Sequence, residues 1–477
     1  MRAILNFGAI ALLAAGASPV AAAPRAPVPA GCPADAASRA QSAVIGGLTR
    51  RYTICAGTLP IRDSAGTVRA SIFYTAYLLD GAARNRPLSF VWNGGPGADS
   101  RLLQFHALAP KTLQHGALAD NAASALPTSD LVFVDPVGTG FSRPKTPADG
   151  ATFYRTTGDI AAMAQFVRNF RGVYRRGGAP TYLVGESFGT WRASGVAEAL
   201  IDTGEPLAGI ALISGGIPLG DREDRSLIRA LSLPNRTATA LALGKLAPAL
   251  QAHPEAALAE AENWARTVYR GALADPAALG AAARAEVIQR LARYQGLSPT
   301  TIDAKTLWVS PRQFRTGLIP AEPRDIFDMR KPVAHLDTAA DDKAVLAFYR
   351  ETLGYRDGRY AGIEEKGPDV GAQWEYDQTP VTPESLARAM AGEGPPSASQ
   401  PWTLRAMQKA PRLRAWVAAG RYDSLNSCAG NAATVAGLPQ SVAARFTLRC
   451  YAGGHMMYED AAVKTLFGRD LADFLAR

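Results

Sequence analysis

Ser187 lies between Gly185 and Gly189 in the stretch TYLVGESFGTWRASG, residues 181–195, where an apolar run gives way to a helix-compatible one. A serine in that setting can act as a nucleophile if a strand turns sharply into a helix and leaves the side chain exposed at the tip. Glycines two residues to either side let the neighbouring chain pass without a clashing Cβ. The hydroxyl alone is a weak nucleophile. It needs a base to take its proton and an acid to orient that base.

The chain has 5 histidines to supply the base. His106 and His115 follow the first core strand candidate, and His253 and His335 fall in a helical stretch. His455 stands in CYAGGHMMYED directly after the last strand candidate, and is the best placed. The acid candidate is Asp423 in WVAAGRYDSLN, again in a loop after a strand. Taken singly, His455 reads equally well as a structural histidine and Asp423 as a turn residue. Together, in the order Ser187, Asp423, His455 and each after its own strand, they form a recurrent hydrolytic arrangement. Two glycine-rich loops add to it. WNGGPGADS at 92–100 can aim backbone N–H groups at a developing oxyanion, and VDPVGTGFSRP at 134–144 can wall the same site. Either loop alone is ordinary tight-turn chemistry.

Positioning these residues requires strands that end at one edge. Residues 52–79 alternate as antiparallel strands do, with RDSAG as the turn. Five apolar runs follow, LSFVW, LVFVD, TYLV, RAWVAAG and FTLRCY, most of them continuous, as befits parallel strands covered on both faces. Helix-like segments at 157–171 and 190–202 fall between them, which indicates an α/β sheet with its functional loops at the strands' carboxyl ends. Residues 217–400 differ: alanine-, arginine- and glutamate-rich, helically periodic, and ending in the linker-like GEGPPSASQP. The expected organisation is a signal peptide (1–22), a leader (23–50), a first core part (51–216), a mainly helical insertion (217–400) and a second core part (401–477).

The signal assignment rests on Met1 and Arg2, the short apolar stretch AILNFGAIALLAAGA and the small-residue zone SPVAAAPRAP, with cleavage near Ala22. No other stretch is apolar and long enough to span a bilayer, so no membrane span is expected after signal removal, and the location is periplasmic or extracellular. Export makes the four cysteines disulfide candidates. Three pairings are open; the parsimonious one joins Cys32 to Cys55 and Cys428 to Cys450, and the second bond would tie the acid's loop to the base's. No Cys-x-x-Cys spacing indicates a metal site. The net charge of +9 comes from scattered lysines and arginines without interleaved aromatics, which argues against nucleic acid.

WNGGPG, FVDPVGTGFS, GESFG, AGRYDSLN and GGHMMY, in this order and at these separations, resemble the serine carboxypeptidase family, most of all its bacterial branch, over about residues 50–215 and 405–477. The resemblance implies an α/β-hydrolase fold with a mostly parallel central sheet and a helical cap at the insertion. It implies Ser187, Asp423 and His455 as a triad, and the N–H groups of Gly95 and Phe188 as the oxyanion hole. Asn93, Gly94 and Glu186 would bind the substrate's terminal carboxylate. Glu186 would repel that carboxylate unless the two share a proton, so binding should weaken as pH rises; the plainer alternative is a structural acid in the turn. Two departures stand out: many relatives place a cysteine where this chain has Ala98, and eukaryotic members a second glutamate where it has Ala107. The implied activity is release of C-terminal residues from peptides with a free carboxylate, without metal or cofactor. Alternatives are an esterase or acyltransferase using the same groups, and a non-catalytic peptide-binding protein.

Overall fold

The computed structural model describes residues 31–334, 338–377, 383 and 399–476. The expected signal peptide, the first part of the leader, His335 and most of the GEGPPSASQP stretch lie outside them. The strands are β1 (Ala37–Ile45), β2 (Leu48–Arg62), β3 (Val68–Leu79), β4 (Leu88–Trp92), β5 (Lys111–Gln114), β6 (Ala117–Asp120), β7 (Asp130–Val134), β8 (Arg143–Pro144), β9 (Thr181–Glu186), β10 (Gly209–Ile213), β11 (Arg414–Gly420) and β12 (Phe446–Tyr451). One large sheet runs β1-β2-β3-β7-β4-β9-β10-β11-β12, with β8 beside β3, and β5 and β6 form a separate hairpin.

The first three strands and β7 pair antiparallel, and everything from β7 to β12 is parallel. The reason lies in the side chains. Every residue of β4, β7, β9 and β10 is buried. Such strands are stable only where helices cover both faces. On one face, Phe166 and Phe170 of helix Thr156–Val173, Val196 and Leu200 of helix Gly189–Asp202, and Met407 of helix Trp402–Lys409 pack on Phe90, Leu183 and Val417. On the other, Phe467 and Leu471 of helix Ala461–Leu475 pack with Val184, Ile213 and Trp416. Each such buried side chain contributes about 1.5–3 kcal/mol relative to exposure.

Three features depart from the sequence expectations. The sheet starts inside the expected leader, at Ala37. A sixth parallel strand, β10, comes from GIALI, a run too short to separate from its helical neighbours by periodicity. The insertion is also not uniform. Helices from Arg225 to Gly317 share their own core around Leu233, Trp264, Tyr269, Leu291 and Phe314. After helix Ala339–Ala347, however, Tyr349, Tyr355 and Tyr360 join the core on the sheet's second face. The Tyr349 hydroxyl donates to Gln104 Oε1 at 3.1 Å, the kind of partner a buried phenol requires. This part of the insertion is a cover for the sheet.

The parallel sheet brings the carboxyl ends of β4, β9, β11 and β12 to one edge. The loops leaving those ends carry Asn93–Gly95, Ser187, Asp423 and His455.

Candidate active site

Ser187 has φ of +57°, a conformation that holds a non-glycine residue only where the surroundings demand it. Its N–H donates to Ile213 O at 2.8 Å, which pins the turn to β10. A Cβ on Gly185 would sit 2.0 Å from Gly189 O, and one on Gly189 2.9 Å from Asn93 O. The turn therefore tolerates no side chain at either glycine. A Cβ on Gly94 would meet Phe188 N at 2.5 Å and Ser187 Cβ at 2.9 Å, so the backbone of the loop after β4 lies directly against the serine turn.

His455 Nδ1 and Asp423 Oδ2 are 2.8 Å apart, both side chains buried. Asp423 accepts further bonds from Leu425 N at 2.8 Å and Asn426 Nδ2 at 3.3 Å. Burial works against charge on His455, but the carboxylates of Asp423 and Glu186 outweigh it and hold the imidazole above its usual range. The imidazole's hydrogen-bond partner among the described side chains is Asp423. Of the other histidines, His106 lies 3.6 Å from Glu459, His115 caps the β5–β6 hairpin, and His253 precedes helix Pro254–Trp264.

Several groups that support this arrangement carry no motif. Asn235, buried in helix Leu233–Ala242 of the insertion, directs Nδ2 at the carbonyls of Gly420, Asp423 and Asn426, at 3.2, 3.2 and 2.8 Å. Ser424 Oγ donates to Ile326 O at 2.6 Å, and the His455 N–H donates to Phe327 O at 2.6 Å. The insertion thus holds the backbone of both the Asp423 and the His455 loops. Arg192, fully buried, donates from Nε to Asp159 Oδ2 and from Nη1 to Asn93 O, each at 2.7 Å, and its guanidinium carbon lies 5.7 Å from the centre of the Phe188 ring. The disulfides are Cys32–Cys55 and Cys428–Cys450. The second joins the start of helix Cys428–Ala436 to β12.

Glu186 and Asn93 are each 2% exposed. Glu186 Oε2 accepts the Tyr458 hydroxyl at 2.6 Å, and Asn93 Oδ1 accepts Leu103 N at 3.0 Å. Burial pushes the Glu186 carboxyl up to about 7, against the His455 charge and the Tyr458 bond, which both lower it. Ala107 is buried and brings no acidic group here. The partner of Glu186 is a phenol, three residues after His455. GGHMMY contained Tyr458, but only the fold reveals its proximity to Glu186.

A cavity of about 480 Å³ opens between Trp191, in the first turn of the helix after Ser187, and the loop Asp423–Ser427, and is walled by Arg229, Arg236 and Trp308 of the insertion. Among the described residues no His, Cys, Asp and Glu cluster could hold a metal ion, and no helix is long and apolar enough to cross a membrane.

A mixed sheet of this order, with a serine turn after β9 and acid and histidine loops after β11 and β12, is the α/β-hydrolase fold. Within that class the chain resembles the serine carboxypeptidases: residues 56–208 match the model of the serine carboxypeptidase family. Serine carboxypeptidase-like 50 of Arabidopsis thaliana is 30% identical over 137 residues, which are 28% of this chain and 30% of that protein. The match to that relative thus spans less than a third of its length. Among solved structures, Kex1(delta)p, a prohormone-processing carboxypeptidase from Saccharomyces cerevisiae, superposes with a TM-score of 0.49 at 15% identity, covering 89% of this chain and 91% of that one. A haloalkane dehalogenase variant from Bradyrhizobium elkanii gives 0.38 at 16% identity, covering 89% and 96%.

Proposed function

We propose that the protein is an exported serine-type carboxypeptidase that releases C-terminal residues from peptides through an acyl-enzyme on Ser187. The single observation that carries this reading is the juxtaposition of the Ser187 turn with a buried Glu186 whose carboxyl is pushed up to about 7. A nucleophile alone suits any acyl transfer. A protonated carboxyl beside it suits a substrate carboxylate in particular.

Ser187 Oγ attacks the last peptide carbonyl while His455 takes its proton, and Asp423 holds the imidazole in the tautomer that accepts at Nε2. The N–H groups of Gly95 and Phe188 stabilise the developing oxyanion. His455 then protonates the leaving amine, and water, activated by the same imidazole, hydrolyses the ester and restores the serine. Asn93, Gly94 and protonated Glu186 hold the terminal carboxylate, which sets the register of cleavage one residue from the end. Glu186 is the shared-proton group, with Tyr458 as its hydrogen-bond donor.

The location outside the cytoplasm is supported by the two disulfides, a chemistry of oxidising compartments, together with the N-terminal sequence. A fluorophosphonate probe tests the first step. Labelling that disappears in Ser187→Ala and release of the terminal amino acid from a blocked dipeptide support the reading. Absence of labelling favours a non-catalytic binding protein. Hydrolysis of esters alone favours an esterase or acyltransferase.

A further inference from the structure

The cavity beside Asp423 has a charged lining that the catalytic steps do not use. Among the described residues its basic groups are Arg225, Arg229 and Arg236, and its acidic ones Glu223 and Asp423. Asp423 is committed to His455. Burial raises the Glu223 carboxyl above its ordinary value, with Arg225 opposing the shift.

Arg229 and Arg236 differ from Arg225 in having no carboxylate partner among the described residues. Both face the Trp308 ring, their guanidinium carbons 5.5 and 5.0 Å from its centre. Arg236 is 4% exposed. Its Nη1 reaches only the neutral Gln295 Oε1, at 3.2 Å, and its Nη2 is buried without an acceptor. Desolvation moves its guanidinium down to about 10, which still leaves it charged at neutral pH. A buried cation without an anion is costly, and the same cation in the wall of a substrate-sized cavity regains that cost when an anion enters. Guanidinium groups suit carboxylates in particular, through paired, directional N–H donors. The cavity beside His455 differs in charge: Asp325, Asp328, Glu459 and Asp460 line it against Arg330 and Lys331, and its Arg330 is bonded to Asp328 Oδ2 at 2.7 Å.

We propose that this cavity is a subsite for an acidic side chain of the substrate peptide, received by Arg229 and Arg236 on the Trp308 wall. The inference rests on the carboxypeptidase reading and deepens it from peptides in general to peptides with Asp or Glu next to the scissile bond. Its lining includes Asp423 and Trp191, four residues after Ser187, but not Asn93 or Glu186, so it adjoins the catalytic loops without being the terminal-carboxylate site.

The test uses N-blocked dipeptides with Glu, Gln or Lys at either the terminal or the penultimate position, and the full protein as wild type, Arg229→Gln and Arg236→Gln. The expected result is a kcat/KM preference for Glu over Gln of about ten- to a hundredfold at one position, the range of a hydrogen bond to a charged group. That position identifies which side of the scissile bond the cavity serves, and the preference should fall towards unity in both variants. Arg229 is exposed, so Arg229→Gln carries the test if Arg236→Gln fails to fold. Equal rates for Glu and Gln at both positions, a preference for Lys, or a Glu preference that survives both substitutions overturns the subsite while Ser187-dependent release leaves the carboxypeptidase reading standing. If no free-carboxylate peptide is cleaved in a Ser187-dependent way, both fall.

Discussion

The Tyr458 hydroxyl donates to Glu186 Oε2 at 2.6 Å, one residue upstream of the serine turn and three residues downstream of His455. This bond links the proposed carboxylate site to the loop of His455. Removing it takes away a contact that favours the ionised form of Glu186. In Tyr458→Phe the pH at which KM for a free-carboxylate peptide starts to rise should therefore move upward, with a smaller effect on kcat. A pH–KM profile identical to wild type contradicts the coupling.

Glu186→Gln should remove the pH dependence itself. Burial pushes the wild-type carboxyl up to about 7, so on the proposed role it shares its proton with the substrate below that pH, and binding should weaken above it, where both carboxylates are charged. Glutamine stays neutral, so KM for the free-carboxylate peptide should be flat from pH 5 to 8. Steady-state kinetics at five or six pH values decide this.

The same substitution has a stability signature of defined sign. A carboxyl whose folded-state pKa is raised binds more protons in the folded than in the unfolded chain between its ordinary value, 4.5, and about 7, so it loses stability as pH rises through that window. Calorimetry should show the Tm of Glu186→Gln gaining on the wild type from pH 4.5 to 7 and levelling off beyond. A constant difference would mean that Glu186 is ionised throughout.

The loops of Ser187, Asp423 and His455 were legible in the sequence because each follows a short apolar run and is marked by glycines. Helices Thr156–Val173 and Gly189–Asp202 were legible because their apolar periodicity matches the face they bury. What was not legible arises from contacts distant in sequence. Asn235 is an ordinary helical residue until helix Leu233–Ala242 meets Gly420 and Asn426. Phe327 acts through its carbonyl, which no side-chain pattern reports. Arg236 reads as one more arginine of the alanine-, arginine- and glutamate-rich insertion, and only the fold shows that its Nη2 lacks an acceptor.

Asn235→Ala should open the Asp423 loop by leaving three carbonyls without their shared donor. Loss of about 1–3 kcal/mol of stability is expected for such a buried group. The fall should be mainly in kcat, since the proposed carboxylate site lies at Asn93, Gly94 and Glu186. A KM effect with kcat unchanged would contradict a role through Asp423.

The Cys428–Cys450 bond joins the segment five residues after Asp423 to the segment five before His455. Mild reduction should lower turnover before the chain unfolds, followed by activity and far-ultraviolet circular dichroism on one sample. Full activity in Cys428→Ser combined with Cys450→Ser would show that the sheet pairing of β11 and β12 suffices.

Wild type and Ser187→Ala incubated with a blocked dipeptide and its C-terminally amidated twin from pH 4 to 8, with the released amino acid or its amide detected, test nucleophile and carboxylate site together. The expected result is Ser187-dependent release that requires the free carboxylate and fades as the pH rises past about 7. Hydrolysis of both substrates alike at every pH would keep the nucleophile and contradict the carboxylate site.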